Sequence, residues 1–170
     1  VPVIKRINIR DRLLLSMETE FAESANLGVT AIRELWEETG LRLSSNGQCN
    51  NFPLSWKEFF LDNQAPDLSN LKFFFRAVTP PGRSRRFDAR FFFCNASHIF
   101  NSLDDFSKAS GELNFLKWIE ISQADHFDLP NITKIVIRYL MTIIESDFKY
   151  DSVPFFSGGA DGLKEKKLKL

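Results

Sequence analysis

The sequence predicts an α/β fold in which helices cover a mixed sheet. Three observations predict it. Phenylalanines, 18 in all, gather in the runs Phe73–Phe75, Phe91–Phe93 and Phe155–Phe156. Consecutive apolar residues of this kind mark strands buried on both faces, because a half-exposed strand would alternate. Apolar residues at helical spacing occur toward both ends of the chain, and mixed helices and strands of this order fit a layered α/β sandwich. The 170 residues suit one domain with a single core. The domain is expected to span residues 1–150, followed by a loose tail over 151–170.

Residues 1–10 read as a short strand or an irregular lead. Leu13, Leu14 and Met17 cluster at helical spacing and predict a helix over Asp11–Glu23. Asn26 is the expected N-cap of a helix from Leu27 through Ala31, Ile32, Leu35 and Trp36, which Gly40 ends. Leu41–Leu43 suggests a strand and Asn46-Gly47 a turn. Ser55 is expected to cap a short helix over Ser55–Leu61. Leu71–Val78 and Phe87–Asn95 predict neighbouring antiparallel strands, joined by a loop that holds Pro80-Pro81-Gly82. Asn101–Ser110 is polar and reads as loop. Phe115–Ile121 predicts a further strand, with Trp118 in the core or at the sheet edge. Ser122 is the expected cap of a short helix, Gln123–Phe127. Pro130 suits the first position of the last helix, whose apolar face is Ile132, Ile135, Val136, Tyr139, Leu140 and Ile143. Ser157-Gly158-Gly159 and the basic Lys164–Leu170 predict the loose tail.

Composition excludes several classes of function. Basic and acidic residues number 22 each, so the net charge is zero and a general nucleic-acid surface is not indicated. No apolar stretch approaches membrane-spanning length, and no signal-peptide pattern opens the chain. Cys49 and Cys94 have neither metal-ligand spacing nor disulfide-framework density, which points to a reducing, cytoplasmic setting. His98 and His126 stand alone and read as ordinary surface or half-buried residues. Cys94 follows a phenylalanine run and reads as a core thiol.

The chemistry concentrates in Ala31-Ile32-Arg33-Glu34-Leu35-Trp36-Glu37-Glu38-Thr39-Gly40-Leu41. Spacings of three and four put Glu34, Glu37 and Glu38 around one helical face. Like charges so placed repel by about a few tenths of a kcal/mol per pair. A bound cation explains such a cluster, and carboxylate oxygens suit Mg²⁺ or Mn²⁺. The plain alternative is a solvated acidic face. Arg33, four residues before Glu37, is placed to pair with it and fix its rotamer.

The string Arg33-Glu34-Leu35-x-Glu37-Glu38-x-Gly40-Leu41 resembles the second half of the Nudix box. That resemblance implies an α/β/α sandwich around a mixed sheet and hydrolysis of the pyrophosphate bond in a nucleoside diphosphate derivative. It implies that Glu37 and Glu38 are the main metal ligands, with Glu34 a further ligand or an orienting base and Arg33 holding the glutamates in place. Glu112, in Ser110-Gly111-Glu112-Leu113, is by the same similarity either a further metal ligand or base, or a solvated loop residue. Arg83, Arg85 and Arg86 form a basic loop between two strands. Arg83 and Arg86 are candidates to hold substrate phosphates through bidentate contacts, the plain alternative being a solvated hairpin tip. Asp88 and Arg90 alternate on one strand as a structural pair.

The first half of the box is not matched: Thr19 and Ala25 stand where its glycine and glutamate belong. Some Nudix proteins, a bacterial subgroup and the coenzyme A diphosphatases, separate the glycine loop from the Arg-Glu helix by a helical insert. Asn8–Ala31 resembles the end of such an insert. The stretches Arg76–Arg83, Arg85–Phe92, Ser110–Leu113 and Leu129–Thr133 also resemble that bacterial subgroup. On this reading the chain is N-terminally shortened and lacks the first strands of the family sheet. The expected partner is a small nucleoside diphosphate derivative, with no nucleic acid and no membrane. An incomplete sheet leaves an edge on which a homodimer is expected to form. The alternative function is a non-catalytic or truncated Nudix-fold module that binds a nucleotide or a protein partner.

Overall fold

The computed structural model describes residues 8–16, 24–49, 52–82, 84–159 and 162–169. The expected lead over 1–7 and the expected helical residues 17–23 lie outside them. Helices and mixed strands are both present, so the fold is of the α/β class. The chain divides into two compact units where the sequence suggests one domain ending at 150. One unit is Val1–Lys72 with Phe93–Lys117; the other is Phe73–Phe92 with Trp118–Leu170.

In the first unit, helix α1 (Ile9–Ser16) starts at Asn8, whose side-chain oxygen accepts the Arg10 N–H at 2.7 Å and the Asp11 N–H at 3.4 Å. Helix α2 (Ser24–Thr39) begins earlier than expected, so Asn26 lies inside it and is not its cap. Ile32 and Trp36 are its buried residues near the C-terminal end. Trp36 meets the fully buried Phe59 edge-on at 5.8 Å, and Phe59 packs on Trp56 at 5.1 Å. Gly40 adopts φ +76°, which ends the helix as its lack of a Cβ permits.

Beyond Gly40, Leu43 makes a single bridge to Ile99, and β1 (Ser44–Asn46) pairs antiparallel with β2 (Gln64–Pro66). The strand therefore falls just after the predicted Leu41–Leu43. Asn46-Gly47 does not turn: the Gly47 N–H bonds the Asn63 carbonyl at 2.8 Å and extends the ladder. The predicted helix over Ser55–Leu61 is instead a pair of 3₁₀ turns, Leu54–Trp56 and Leu61–Asn63. Pro53 precedes the first, and there is no side-chain cap.

In the second unit, β3 (Lys72–Val78), β4 (Asp88–Phe93), β5 (Ser152–Gly159) and β6 (Gly162–Lys169) form a sheet in the order β4-β3-β5-β6. β3 and β5 run parallel, with Arg76 opposite Phe155. Parallel neighbours need a long crossover, and it includes helix α3 (Asn131–Glu145). Pro130 is the residue before that helix, one position earlier than predicted. Val136 and Ile143 are buried from its predicted apolar face. Of the phenylalanine runs, Phe73–Phe75 is wholly buried as expected and Phe75 stacks on Phe156 at 5.1 Å, whereas Phe91–Phe93 and Phe156 are only half-buried, β4 being an outer strand of the sheet.

Two expectations fail here. The segment expected to be a loose tail is the β5–β6 hairpin, paired from Ser152↔Lys169 to Gly159↔Gly162. Its lysines lie on the outermost strand. Charged residues on an outermost strand are how sheets protect an edge, and Lys164, Lys166, Lys167 and Lys169 are exposed on β6. The predicted strand Phe115–Ile121 does not form. Phe115 has φ +59° and is 97% exposed, which breaks an extended run at its first residue. Trp118 is accordingly exposed and not a core residue. The helix expected over Gln123–Phe127 is a 3₁₀ segment, Ile121–His126. Among the described residues no helix is long and apolar enough to cross a membrane.

Candidate functional site

The acidic residues of α2 stand on the side of the helix away from Ile32 and Trp36. Glu34 is exposed, and Glu37 and Glu38 are half-exposed. Arg33 pairs with Glu34 and lies 4.0 Å from Glu37. The arginine thus bridges two carboxylates, with Glu34 and not Glu37 as its nearer partner. Partial burial pushes the Glu38 carboxyl above the usual carboxylate range, and the negative charges of Glu34, Glu112 and Glu37 add to the effect in that order. Glu112 therefore shares the electrostatic field of the α2 cluster, although it comes from a distant loop.

Backbone contacts explain how that loop arrives. The Ser110 N–H donates to the Glu37 carbonyl at 2.7 Å, at the open C-terminal end of α2. A Cβ on Gly40 would lie 3.1 Å from the Ala109 nitrogen and 3.1 Å from the Lys108 Cβ, so the loop passes hard against the bare α-carbon. Asn101 ties the start of the same loop to the chain after the helix. Its amide donates to the Gly40 carbonyl at 3.1 Å and its oxygen accepts the Arg42 N–H at 2.8 Å. The polar composition of Asn101–Ser110 predicts a loop but not these anchoring roles of Asn101 and the Ser110 backbone. No spacing rule links residues so far apart in the chain.

The donor set is one of hard carboxylate oxygens, which fits Mg²⁺ or Mn²⁺ in kind. Among the described residues, no three His, Cys, Asp or Glu side chains are already gathered closely enough to hold an ion. The cluster is therefore assembled as a charged face, with its carboxylates spread.

The remaining candidates fall elsewhere. Arg83 lies outside the described residues. Arg86 belongs to the second unit; it is exposed, and its Nε donates to the Thr79 carbonyl at 3.3 Å, within its own loop. Asp88 and Arg90 do pair, at 3.1 Å, but the stronger partner of Asp88 is Arg76. Arg76 donates through Nε at 2.9 Å and Nη2 at 2.8 Å, and its guanidinium lies 4.5 Å over the Phe155 ring. His98 and His126 are exposed. Cys94 is half-buried, and burial pushes its thiol up, away from nucleophile chemistry.

Compared with protein-family models, with curated proteins and with solved structures, the chain matches none.

Proposed function

We propose that this chain is a divalent-metal-dependent hydrolase of Nudix type that cleaves the pyrophosphate bond of a nucleoside diphosphate derivative. The observation that carries the proposal is the acidic face of α2, on which Glu34, Glu37 and Glu38 are exposed or half-exposed and where burial, then the charges of Glu34, Glu112 and Glu37, push the Glu38 carboxyl up. A carboxyl made costly to charge by burial and by like charges beside it is a candidate cation or proton site. The Arg33–Leu41 string, which resembles the second half of the Nudix box, supports the same reading.

In this function Glu37 and Glu38 hold Mg²⁺ or Mn²⁺, with Glu34 and Glu112 as further ligands. The ion supplies neutralisation of pyrophosphate charge and acidification of a water. Arg33, paired with Glu34 and near Glu37, limits the rotamers of both. The fold in this reading is the Nudix α/β/α sandwich.

A second reading, a non-catalytic Nudix-derived module that binds a nucleotide or a protein, has one observation in its favour: the carboxylates are spread and not gathered. A panel of nucleoside diphosphate compounds, followed by ³¹P NMR with Mg²⁺ or Mn²⁺ present, separates the two. Appearance of two phosphate-terminated products supports the hydrolase. Nucleotide binding without product supports the module.

A further inference from the structure

We infer that β4 is a self-complementary sheet edge, on which two copies of this chain pair antiparallel about a two-fold axis at Ala89. The sheet order β4-β3-β5-β6 leaves two outer strands, and they are built differently. On β6, Lys164, Lys166, Lys167 and Lys169 are exposed, with Glu165 their only counter-charge on that strand. A surplus of one sign repels a second copy of the same strand. β4 has no lysine and no proline, and among the described residues no strand lies on its far side. It carries one charge of each sign, Asp88 and Arg90, followed by three phenylalanines. A strand of that kind can attract its own copy. The net charge of the whole chain is zero, so no long-range repulsion opposes association.

Backbone geometry fixes the register. Just before β4, the Phe87 carbonyl accepts the Thr79 N–H at 2.9 Å, so the backbone of Phe87 faces the β3 side. Alternation along the strand then turns the backbone groups of Ala89 and Phe91 toward β3, and those of Asp88 and Arg90 outward. The Asp88 carbonyl agrees: it accepts the Arg90 Nη1 at 3.1 Å, and a carbonyl has a second lone pair for a neighbouring strand. In an antiparallel pair, outward-facing residues must lie opposite outward-facing residues to exchange their N–H···O bonds. A two-fold at Asp88 sets Asp88 against its own copy, and one at Arg90 sets Arg90 against its own copy. Centres from Phe91 onward leave Arg90 opposite uncharged residues. The two-fold at Ala89 sets Asp88 opposite the partner's Arg90, and Arg90 opposite the partner's Asp88. It also sets Phe87, which is 65% exposed, opposite the partner's Phe91. Opposite charges and aromatic pairs directly across a strand pair stabilise it. Of the centres within β4, Ala89 is the one that joins opposite charges.

Sedimentation velocity of the full chain across the micromolar range reads the association, and a reversible monomer–dimer equilibrium is expected. Hydrogen exchange followed by NMR reads the edge without a substitution. The Asp88 and Arg90 amides are expected to gain protection as dimer forms, while those of Ala89 and Phe91, which face β3, are protected in monomer and dimer alike. Phe87→Ala changes an exposed residue outside the strand and is expected to weaken dimerisation about tenfold, through two symmetry-related aromatic pairs. Ala89→Cys, combined with Cys49→Ser and Cys94→Ser, is expected to form a disulfide between copies on mild oxidation. Directly opposed Cβ atoms lie about 4.5–5.5 Å apart, close to disulfide reach. If that variant does not fold, exchange in the wild type and the Phe87→Ala shift carry the test. A monomer throughout the concentration range overturns the proposal. So does a dimer whose Asp88 and Arg90 amides gain no protection, or one that Phe87→Ala leaves as tight as before, because such a dimer uses another surface.

Discussion

Replacing Asp88 by Asn should destabilise the second unit by about 2 kcal/mol at neutral pH. Asp88 is the counter-charge for two guanidiniums. Arg76 is 4% exposed and grips it through two nitrogens at 2.9 and 2.8 Å, and Arg90 adds a contact at 3.1 Å. Removing one partner of a fully buried ion pair costs about 3–5 kcal/mol, because the other charge is left without compensation. The Asp88 side chain is 39% exposed, and solvent screening brings the figure down to about 2 kcal/mol. Urea unfolding followed by far-ultraviolet circular dichroism reads this as a midpoint lowered by roughly 1 M, for a slope of about 2 kcal/mol per molar. The pH dependence supplies an internal check. Burial alone would push the Asp88 carboxyl up, but hydrogen bonds and charge from Arg76, and then Arg90, lower it below the ordinary value. A carboxylate lowered in the folded state contributes stability above its unfolded pKa of about 3.9, and that contribution is lost as pH falls toward the folded value. The gap between wild type and Asp88→Asn should therefore narrow below about pH 4. Equal midpoints at pH 7, or a gap that stays constant down to pH 3, would refute the reasoning.

Two other predictions concern local geometry and the acidic cluster. Gly158→Ala places a methyl group into the Pro80 ring, so a loss of about 1–3 kcal/mol is expected from overpacking; thermal denaturation checks it, and an unchanged Tm contradicts the close approach of β5 to the Pro80 loop. Glu38→Gln should raise the stability of metal-free protein at neutral pH. A carboxyl raised in the folded state contributes stability that is present below its unfolded pKa and lost as pH rises through the folded one. The neutral variant avoids that loss, so the two proteins should converge at acidic pH. Millimolar Mg²⁺ should reverse the order by stabilising the wild type alone. A calorimetric Tm lower in the variant than in metal-free wild type would sink the idea that the cluster stores repulsion.

The placement of the candidate residues on α2 was legible in the sequence because helical spacing is a local rule. Glu34, Glu37 and Glu38 share a face for reasons confined to five residues, and Gly40 ends the helix for a reason confined to its own φ. Phe73–Phe75 likewise announced a strand buried on both faces. What was not legible depends on distant neighbours. Lys164–Lys169 is polar enough to read as tail, and only pairing with Ser152–Gly159 makes it a strand. Phe115–Ile121 has strand-forming residues, yet Phe115 adopts positive φ and the segment joins no sheet. The Asn101 bonds and the Ser110 anchor join residues that no periodicity connects. Asp88 was paired with Arg90 because they alternate on one strand; its stronger partner, Arg76, sits on the neighbouring strand.

The most direct test of the hydrolase reading is turnover of nucleoside diphosphate derivatives by wild type and by Glu37→Gln/Glu38→Gln, each with and without Mg²⁺ or Mn²⁺. The account predicts hydrolysis that requires the ion and disappears in the double variant, with the far-ultraviolet circular dichroism of both proteins unchanged. Hydrolysis that persists in the double variant, or its absence from folded wild type with either ion, would contradict it.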